Sequence, residues 1–562
     1  MDISGFGLSN EIYIPLKWTF PQNTIIKPQE YLIVFISNKK SKDNELHTNF
    51  ELNKNGDFLF FSNSHAEIIE KIDIPSLEED ETYGRNENGL FQKMISSPGK
   101  KNIKDISPPK FSNKSGFYDE EFLLTLTTTE NTVIYYTIDG SNPLNSDSVQ
   151  IYKEPIKIYD RSEEPNIYSE IGEDRDSPIF IGPLTGYTKP KYLLDKAMIV
   201  RAYCINDEGQ SKIVTHSYFV TTGKLSQYKN ITVVSIVTNP ENLFDPEKGI
   251  YVVGYKYLEE IKKLDESEFW IKIWKVLEEC NYSQRGQEWE KESNVVIFEN
   301  GKVLLHQNLG LRIKGNSTRS AAGKSFNLYA RKKYGQEYIK TPLFPNNYDI
   351  DNKIIDKYKS ISLRSVYSDE RIRDEFANKI LFGSEYQAIT DTKKCIVFIN
   401  GEYWGFYIMM EHYSEFYFQS HYKIPKSDIL FFKEGEVDNM KEYNNFMEEY
   451  YQKDLTTKEV FTEINNYLDI DSLVEYFVIG IYMGIWDWPN HNDGIWRNEG
   501  VKLKNNPYSD GRWRYISYDF DFAMGRTYAS YDGVEGYEYD NFKHLEKNIE
   551  KKDIQMNYFD HF

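Results

Sequence analysis

Trp513-Arg-Tyr-Ile-Ser-Tyr-Asp519-Phe520-Asp521-Phe522-Ala-Met-Gly525 is the stretch that decides how this chain is read. An aromatic strand ends in two acidic residues and then a turn of small residues. Carboxylates at a strand end are held rigidly by the backbone, which suits them to a hard cation. Two aspartates this close are costly to bury without one. Asp519 and Asp521 are therefore candidate metal ligands, with either one sufficient for the role.

Upstream, Trp486-Asp487-Trp488-Pro489-Asn490-His491-Asn492 follows an apolar helical run and is itself polar, with Pro489 stopping the helix. Asp487 and Asn492 stand five residues apart. Protein kinases space their catalytic Asp and metal-binding Asn in the same D-x-x-x-x-N pattern. One carboxylate orients the acceptor hydroxyl, and one amide oxygen helps hold a divalent metal. Helix-end capping by Asp or Asn competes with this reading. His491 reads as a polar loop histidine.

Further upstream, two alternating strands flank Gly315-Asn-Ser-Thr-Arg-Ser-Ala-Ala-Gly323-Lys324. Such a loop brings backbone N–H groups and hydroxyls near phosphates, and Lys324 pairs with them. Arg312, Lys314 and Ser317 are helpers, because Arg312 and Lys314 alternate onto one strand face. The loop matches neither a Walker A motif nor the usual kinase Gly-rich loop, and an ordinary polar hairpin loop fits it too. The three motifs nevertheless fall in kinase order: phosphate loop and lysine, Asp with Asn, then metal Asp.

The surrounding grammar from Asn230 onward is mixed α and β. Tyr257 to Leu277 is amphipathic and predicts a helix. Asp369 to Leu381 predicts a second, with Ile372, Phe376 and Ile380 on one helical face. Cys395-Ile-Val-Phe-Ile and Trp404-Gly-Phe-Tyr-Ile-Met flank Asn400-Gly401, a favoured hairpin pair. Asp469 is placed to cap a buried helix reaching about Ile485.

Several of these stretches together resemble CotH-type spore-coat kinases: Gly286-Gln-Glu-Trp-Glu, Leu311-Arg-Ile-Lys-Gly-Asn-Ser-Thr-Arg, Lys324-Ser-Phe-Asn-Leu-Tyr, Arg371-Ile-Arg-Asp, Asn400-Gly-Glu-Tyr-Trp-Gly-Phe-Tyr-Ile-Met-Met-Glu411, Trp486-Asp487 and Tyr518-Asp-Phe-Asp. The resemblance implies an atypical kinase fold that uses ATP with Mg²⁺ or Mn²⁺ to phosphorylate Ser or Thr of coat or surface proteins. It puts Asp487 in the catalytic role, and Asn492 with Asp519 or Asp521 at the metal. Lys324 is expected to pair with phosphate, with Arg373 as a further helper and Glu411 either orienting Lys324 as an ion pair or forming a surface salt bridge. The family pattern continues beyond the point where this chain stops, after Asp560-His-Phe.

Residues 1–104 read as short strands, with Tyr31-Leu-Ile-Val-Phe-Ile and Phe58-Leu-Phe-Phe as buried ones and Asn55-Gly56 as a turn. With Lys17-Trp-Thr-Phe-Pro and Thr82-Tyr-Gly-Arg they resemble a lamin-tail-like β-sandwich, here truncated. A polar linker follows. Residues 107–222 carry Phe122-Leu-Leu-Thr-Leu-Thr, Ile134-Tyr-Tyr-Thr-Ile-Asp-Gly and Met198-Ile-Val-Arg-Ala-Tyr, and resemble the chitobiase C-terminal-like, fibronectin-associated β-sandwich. Asp160 to Asp176 reads as a solvated acidic loop without EF-hand spacing. The fold expected is two N-terminal all-β sandwiches, then an α+β atypical protein-kinase-like domain over 228–562.

The net charge of −20 disfavours nucleic acid as a partner. Three scattered cysteines exclude a disulfide scaffold and a CxxC zinc site. No signal peptide and no membrane span is read. A spore-coat or cell-surface setting is expected, with a protein substrate and cell-wall glycan contacted through the β modules. The alternative is a surface-associated adhesion or structural protein with a degenerate kinase domain. A hydrolase built on the Asp cluster is a third reading, weakened by the absence of a Ser-His or paired-Glu arrangement.

Overall fold

A computed structural model of the protein describes residues 1–544 apart from 40–44, 78–81, 87, 130, 184–185, 208, 265–268, 367–371, 434–444, 446–448, 450–452, 455, 490–491, 493 and 527–537. The N-terminal region is built of β-strands, and the mixed region follows, as the two patterns require.

The first strands form a four-stranded sheet in the order Trp18–Thr19, Gly7–Ser9, Asp57–Ser62, Ile68–Ile74. Ile3, Leu8, Phe20 and Phe50 are its buried core. The expected buried strand at Tyr31 is a correction: only Val34–Phe35 is extended and paired, and Tyr31, Leu32, Ile33 and Phe35 are exposed. Strands Thr82–Arg85, Phe91–Ile95 and Ile103–Ile106 belong to the sheet of the second β unit. Ile103–Ile106 enters it by pairing parallel to Gly209–Ser211.

The region from Val233 onward has two parts. In the first, seven strands close into a barrel: β1 (Val233–Val237), β2 (Lys291–Glu299), β3 (Lys302–Lys314), β4 (Ser325–Tyr329), β5 (Ser360–Ser365), β6 (Thr392–Ile399) and β7 (Glu402–Glu411). Their order is β1-β2-β3-β4-β5-β7-β6, closed by a parallel β6–β1 pair. The β6–β7 hairpin turns at Asn400 (φ 48°) and Gly401 (φ 91°), the left-handed pair that the Asn-Gly dipeptide supplies cheaply. The helix expected over Tyr257–Leu277 is two helices, α1 (Gly254–Ile261) and α2 (Phe269–Glu278), packed against each other.

The second part holds a three-stranded antiparallel sheet, β8 (Ile429–Lys433), β9 (Gly494–Asn498) and β10 (Arg514–Tyr515). Helices α3 (Arg373–Leu381), α4 (Glu415–Tyr422), α5 (Lys458–Ile464) and α6 (Ile470–Tyr482) surround it. Asp469 caps α6 as its sequence predicts, its side chain accepting from Ser472 N–H. Among the described residues no helix is long and apolar enough to cross a membrane.

The second β unit is welded to the barrel. Phe219 stacks on Phe117 at 4.7 Å and meets Phe298 and Phe398 edge-on at 5.4 and 5.0 Å. The acidic segment after Asp160 is a second correction. Within Asp160–Asp176, Tyr168 is buried in the barrel's own core cluster, as are Phe180 and Ile181 just beyond it. The Glu402 carboxylate accepts from the backbone N–H of Ile167, Tyr168 and Ser169 at 2.5, 3.1 and 3.0 Å. Its charged residues made this segment read as solvated, but its few apolar residues decide where it lies.

Because four aromatic rings meet at Phe219, Phe219→Ala should cost about 3 kcal/mol. Chemical denaturation with circular dichroism measures this. A chain begun at residue 228 removes the partners of Glu402 and should lose its sharp unfolding transition.

Candidate functional site

The site forms where the barrel faces the second part. Along β3, β4 and β5, Ile313, Phe326 and Leu363 fall in one row of the register and are buried in the core. Side chains alternate along strands, so Lys314 and Arg364, each one residue on, emerge together on the opposite face. The far wall is the Asp519-Phe520-Asp521 loop, which runs into a 3₁₀ turn at Phe520–Phe522.

Backbone pairing fixes that loop beside the end of α6. Trp486 N–H donates to Phe522 O at 3.0 Å, Met524 N–H to Met483 O at 2.5 Å, and Gly525 N–H to Gly484 O at 3.1 Å. Asp487 follows Trp486 and Asp521 precedes Phe522, so the first of these bonds sets the two carboxylates side by side. Trp488 lies flat on α6 at Gly480, where a Cβ would come within 2.4 Å of the indole. Asn492 Nδ2 donates to Asp487 Oδ2 at 2.9 Å, joining the two residues that the D-x-x-x-x-N spacing paired. Asn492, Asp519 and Met524 all hold left-handed backbone, with φ of 62°, 64° and 60°. Such conformations in non-glycine residues persist where surrounding contacts enforce them, and they gather at functional sites.

Arg364 is the hub. Its Nη2 donates to Asp519 Oδ1 and, at 2.9 Å, to Asp521 Oδ2, while Nη1 pairs with Asp374 Oδ2 at 3.2 Å. Asp374, in the first turn of α3, also accepts from Phe520 N–H at 2.8 Å through Oδ1. Arg373 beside it donates to Ala523 O at 2.9 Å. The start of α3 thus grips the Asp519–Asp521 loop from both ends.

These neighbours set the charges. Burial alone would raise the Asp519 carboxyl, but Arg364, with Lys314 and Lys433 behind it, holds it below the usual range. Burial and then the Asp519 carboxylate push Asp521 up to about 8, with Asp374 and Asp487 adding to the rise and Arg364 opposing it. Burial and then Arg364 lower Lys314 to about 8. Burial, then Lys433, Lys314 and Arg312, lower His412 to about 3. Lys433 lies over the Tyr518 ring at 4.3 Å and the Tyr413 ring at 4.7 Å.

Asp487, Asn492, Asp519 and Asp521 are brought together, with Lys314 facing them. Arg312 shares the strand face of Lys314 and lies over the Tyr329 ring at 5.1 Å. Lys324 is a correction. Its side chain is 0 % exposed, and Nζ donates to the carbonyls of Ile181, Arg319 and Ala321 at 2.9, 2.7 and 2.9 Å. It points into the body, and burial lowers it to about 7. Arg319 does likewise, donating to the carbonyls of Gly315, Tyr282 and Ile313. The Gly315–Lys324 loop is therefore folded onto its own support. Glu411 is a second correction, since it lies across from Ile361 and pairs with His421 at 3.1 Å. The Ser317 side chain and His491 lie outside the described residues. Arg364, Asp374 and Lys433 are site residues that sequence reasoning missed. Arg364 sits in Ser360-Ile-Ser-Leu-Arg-Ser, where alternation predicts only a strand with an outward arginine.

The donors around Asp519 and Asp521 are hard oxygens, the chemistry that Mg²⁺ and Mn²⁺ prefer. Among the described residues no three carboxylate, histidine or cysteine side chains form a closed metal cage. Magnesium sites completed by phosphates need only one or two carboxylates, so the residues fit the ion.

Residues 311–554 match the family described as CotH kinase protein, and residues 124–218 match the one described as Fn3 associated. The chain thus carries a CotH-type, kinase-like domain with a β-sandwich region upstream. No curated protein matches it.

Asp521 gives a pH prediction. Its folded proton affinity is raised, so between about pH 4 and 8 the metal-free folded state holds a proton that the unfolded state has lost. The contribution of this group to stability falls as pH rises through that window. The melting temperature of metal-free protein should show this fall, and Asp521→Asn should flatten it. An Asp521→Asn profile as steep as wild type would assign the dependence elsewhere.

Proposed function

We propose that the protein transfers the γ-phosphoryl group of ATP to Ser or Thr hydroxyls of a protein acceptor, using Mg²⁺ or Mn²⁺. The observation that carries this reading is the placing of Asp487 and Asn492 against Asp519 and Asp521 by the Trp486–Phe522 hydrogen bond, with Lys314 on the facing wall. The CotH match supports the kinase class and, with it, a spore-coat or surface protein as acceptor.

Asp519 and Asp521 would hold the ion, with the amide of Asn492 beside them. When bound, the ion supplies positive charge to the phosphate oxygens. Lys314 offers a second positive charge from the barrel side, and this replaces the role expected of Lys324. Asp487 accepts the proton of the attacking hydroxyl, and its bond to Asn492 fixes its orientation. Transfer needs Lys314 protonated and Asp521 ionised, and a bound ion would itself favour the ionised Asp521 carboxyl.

Labelled ATP with Mg²⁺ or Mn²⁺ and a Ser-rich coat protein tests the reading. Asp487→Asn should lower transfer about a thousandfold while nucleotide binding persists. Label transfer by Asp487→Asn at the wild-type rate would contradict the assignment. The two lysines should separate. Lys314→Met should lower transfer about a hundredfold with little change in melting. Lys324→Met strands three buried carbonyls and should cost about 2 kcal/mol of stability.

A further inference from the structure

Arg364 bridges the two carboxylates through a single nitrogen. Nη2 contacts both Asp519 Oδ1 and Asp521 Oδ2. A cation shared between these carboxylates would compete with the guanidinium for the same two groups. We propose that Arg364 is a built-in competitor for the divalent ion, holding the pair closed until nucleotide phosphates draw its guanidinium away. This rests on the reading of Asp519 and Asp521 as the metal ligands.

Three observations support a competitor over a supporting strut. First, guanidinium and divalent cation carry like charge, so their simultaneous presence between two carboxylates is repulsive. Second, Arg364 has a separate anchor, the Nη1 pair with Asp374 Oδ2 at 3.2 Å. Leaving Asp519 and Asp521 therefore does not strand a buried charge, which would otherwise be prohibitive. Third, Lys314 already repels Arg364 across the same cleft. A polyphosphate arriving beside Lys314 offers the guanidinium acceptor oxygens that match its fork geometry. Arg364 is a positioning residue in this scheme, since it acts on the metal through Asp519 and Asp521. The consequence is an order of binding: the ion alone binds weakly, and ion with nucleotide binds well.

The test titrates the full chain with Mn²⁺ and reads free Mn²⁺ by electron paramagnetic resonance, first alone and then with ADP. Arg364→Gln should bind Mn²⁺ alone about tenfold more tightly than wild type, because one competing charge is removed. The gain that ADP brings should shrink by a similar factor. Arg364→Lys keeps the charge but cannot span three carboxylates, so it should fall between the two, and it keeps the test decisive if the glutamine variant does not fold. Wild-type or weaker Mn²⁺ affinity in both variants would overturn the proposal and make Arg364 a supporting group. Asp521→Asn separates the two levels of the reading. If it binds Mn²⁺ as wild type does, with and without ADP, the ligand assignment itself fails.

Discussion

One guanidinium among three carboxylates organises the kinase-like domain. Arg364 comes from the barrel, Asp374 from α3, and Asp519 with Asp521 from the loop after β10. No other contact described above draws these three elements to one point. Burial in a low-dielectric site makes each pair strong, and it makes any unpaired member expensive. The carboxylates are therefore held close together although they repel, which is the state a divalent ion requires. Burial, and then the part of that repulsion that Arg364 leaves uncompensated, raises the Asp521 carboxyl.

The same constraint explains the orientation of α3. Its apolar spacing sets Ile372, Phe376 and Ile380 on one helical face, the side a helix ordinarily turns to a core. The helix instead exposes them, at 55, 51 and 49 %, and buries Asp374, Glu375 and Asn378 with Ala377. Hydrophobic periodicity assumes that the core side of a helix is apolar. Here the inner side meets Arg364, the Phe520 N–H and Lys394, which pairs with Glu375 at 3.2 Å. Charge pairing at the site outweighs the burial of three apolar side chains.

Much was legible in the chain because local chemistry decided it. Asn400-Gly401 made its hairpin turn, Asp469 capped its helix, and Asp487 met Asn492 at the spacing that suggested both. What was illegible depended on tertiary partners. Lys324 reads as a loop-closing phosphate lysine, yet three carbonyls, one of them from Ile181 in the upstream unit, enclose its ammonium. Glu411 alternates correctly along β7 but lies in register with Ile361, beside His421. Asp160 to Asp176 looks solvated by composition, yet Tyr168 within it, and Phe180 and Ile181 just after it, lie in the barrel core. Lys314, read as a helper, occupies the position first given to Lys324, because one residue of strand register separates the core row from the cleft row.

The central claim is that Asp487, Asn492, Asp519 and Asp521 form one metal–nucleotide site opposite Lys314. Crystals of the full chain grown with Mn²⁺ and a non-hydrolysable ATP analogue test it most directly, through the anomalous signal of manganese. The account predicts a peak within coordination distance of Asp519 or Asp521, with the phosphates on the Lys314 side. A peak elsewhere on the chain, or an ordered nucleotide lying away from Lys314 and Asp487, would contradict it.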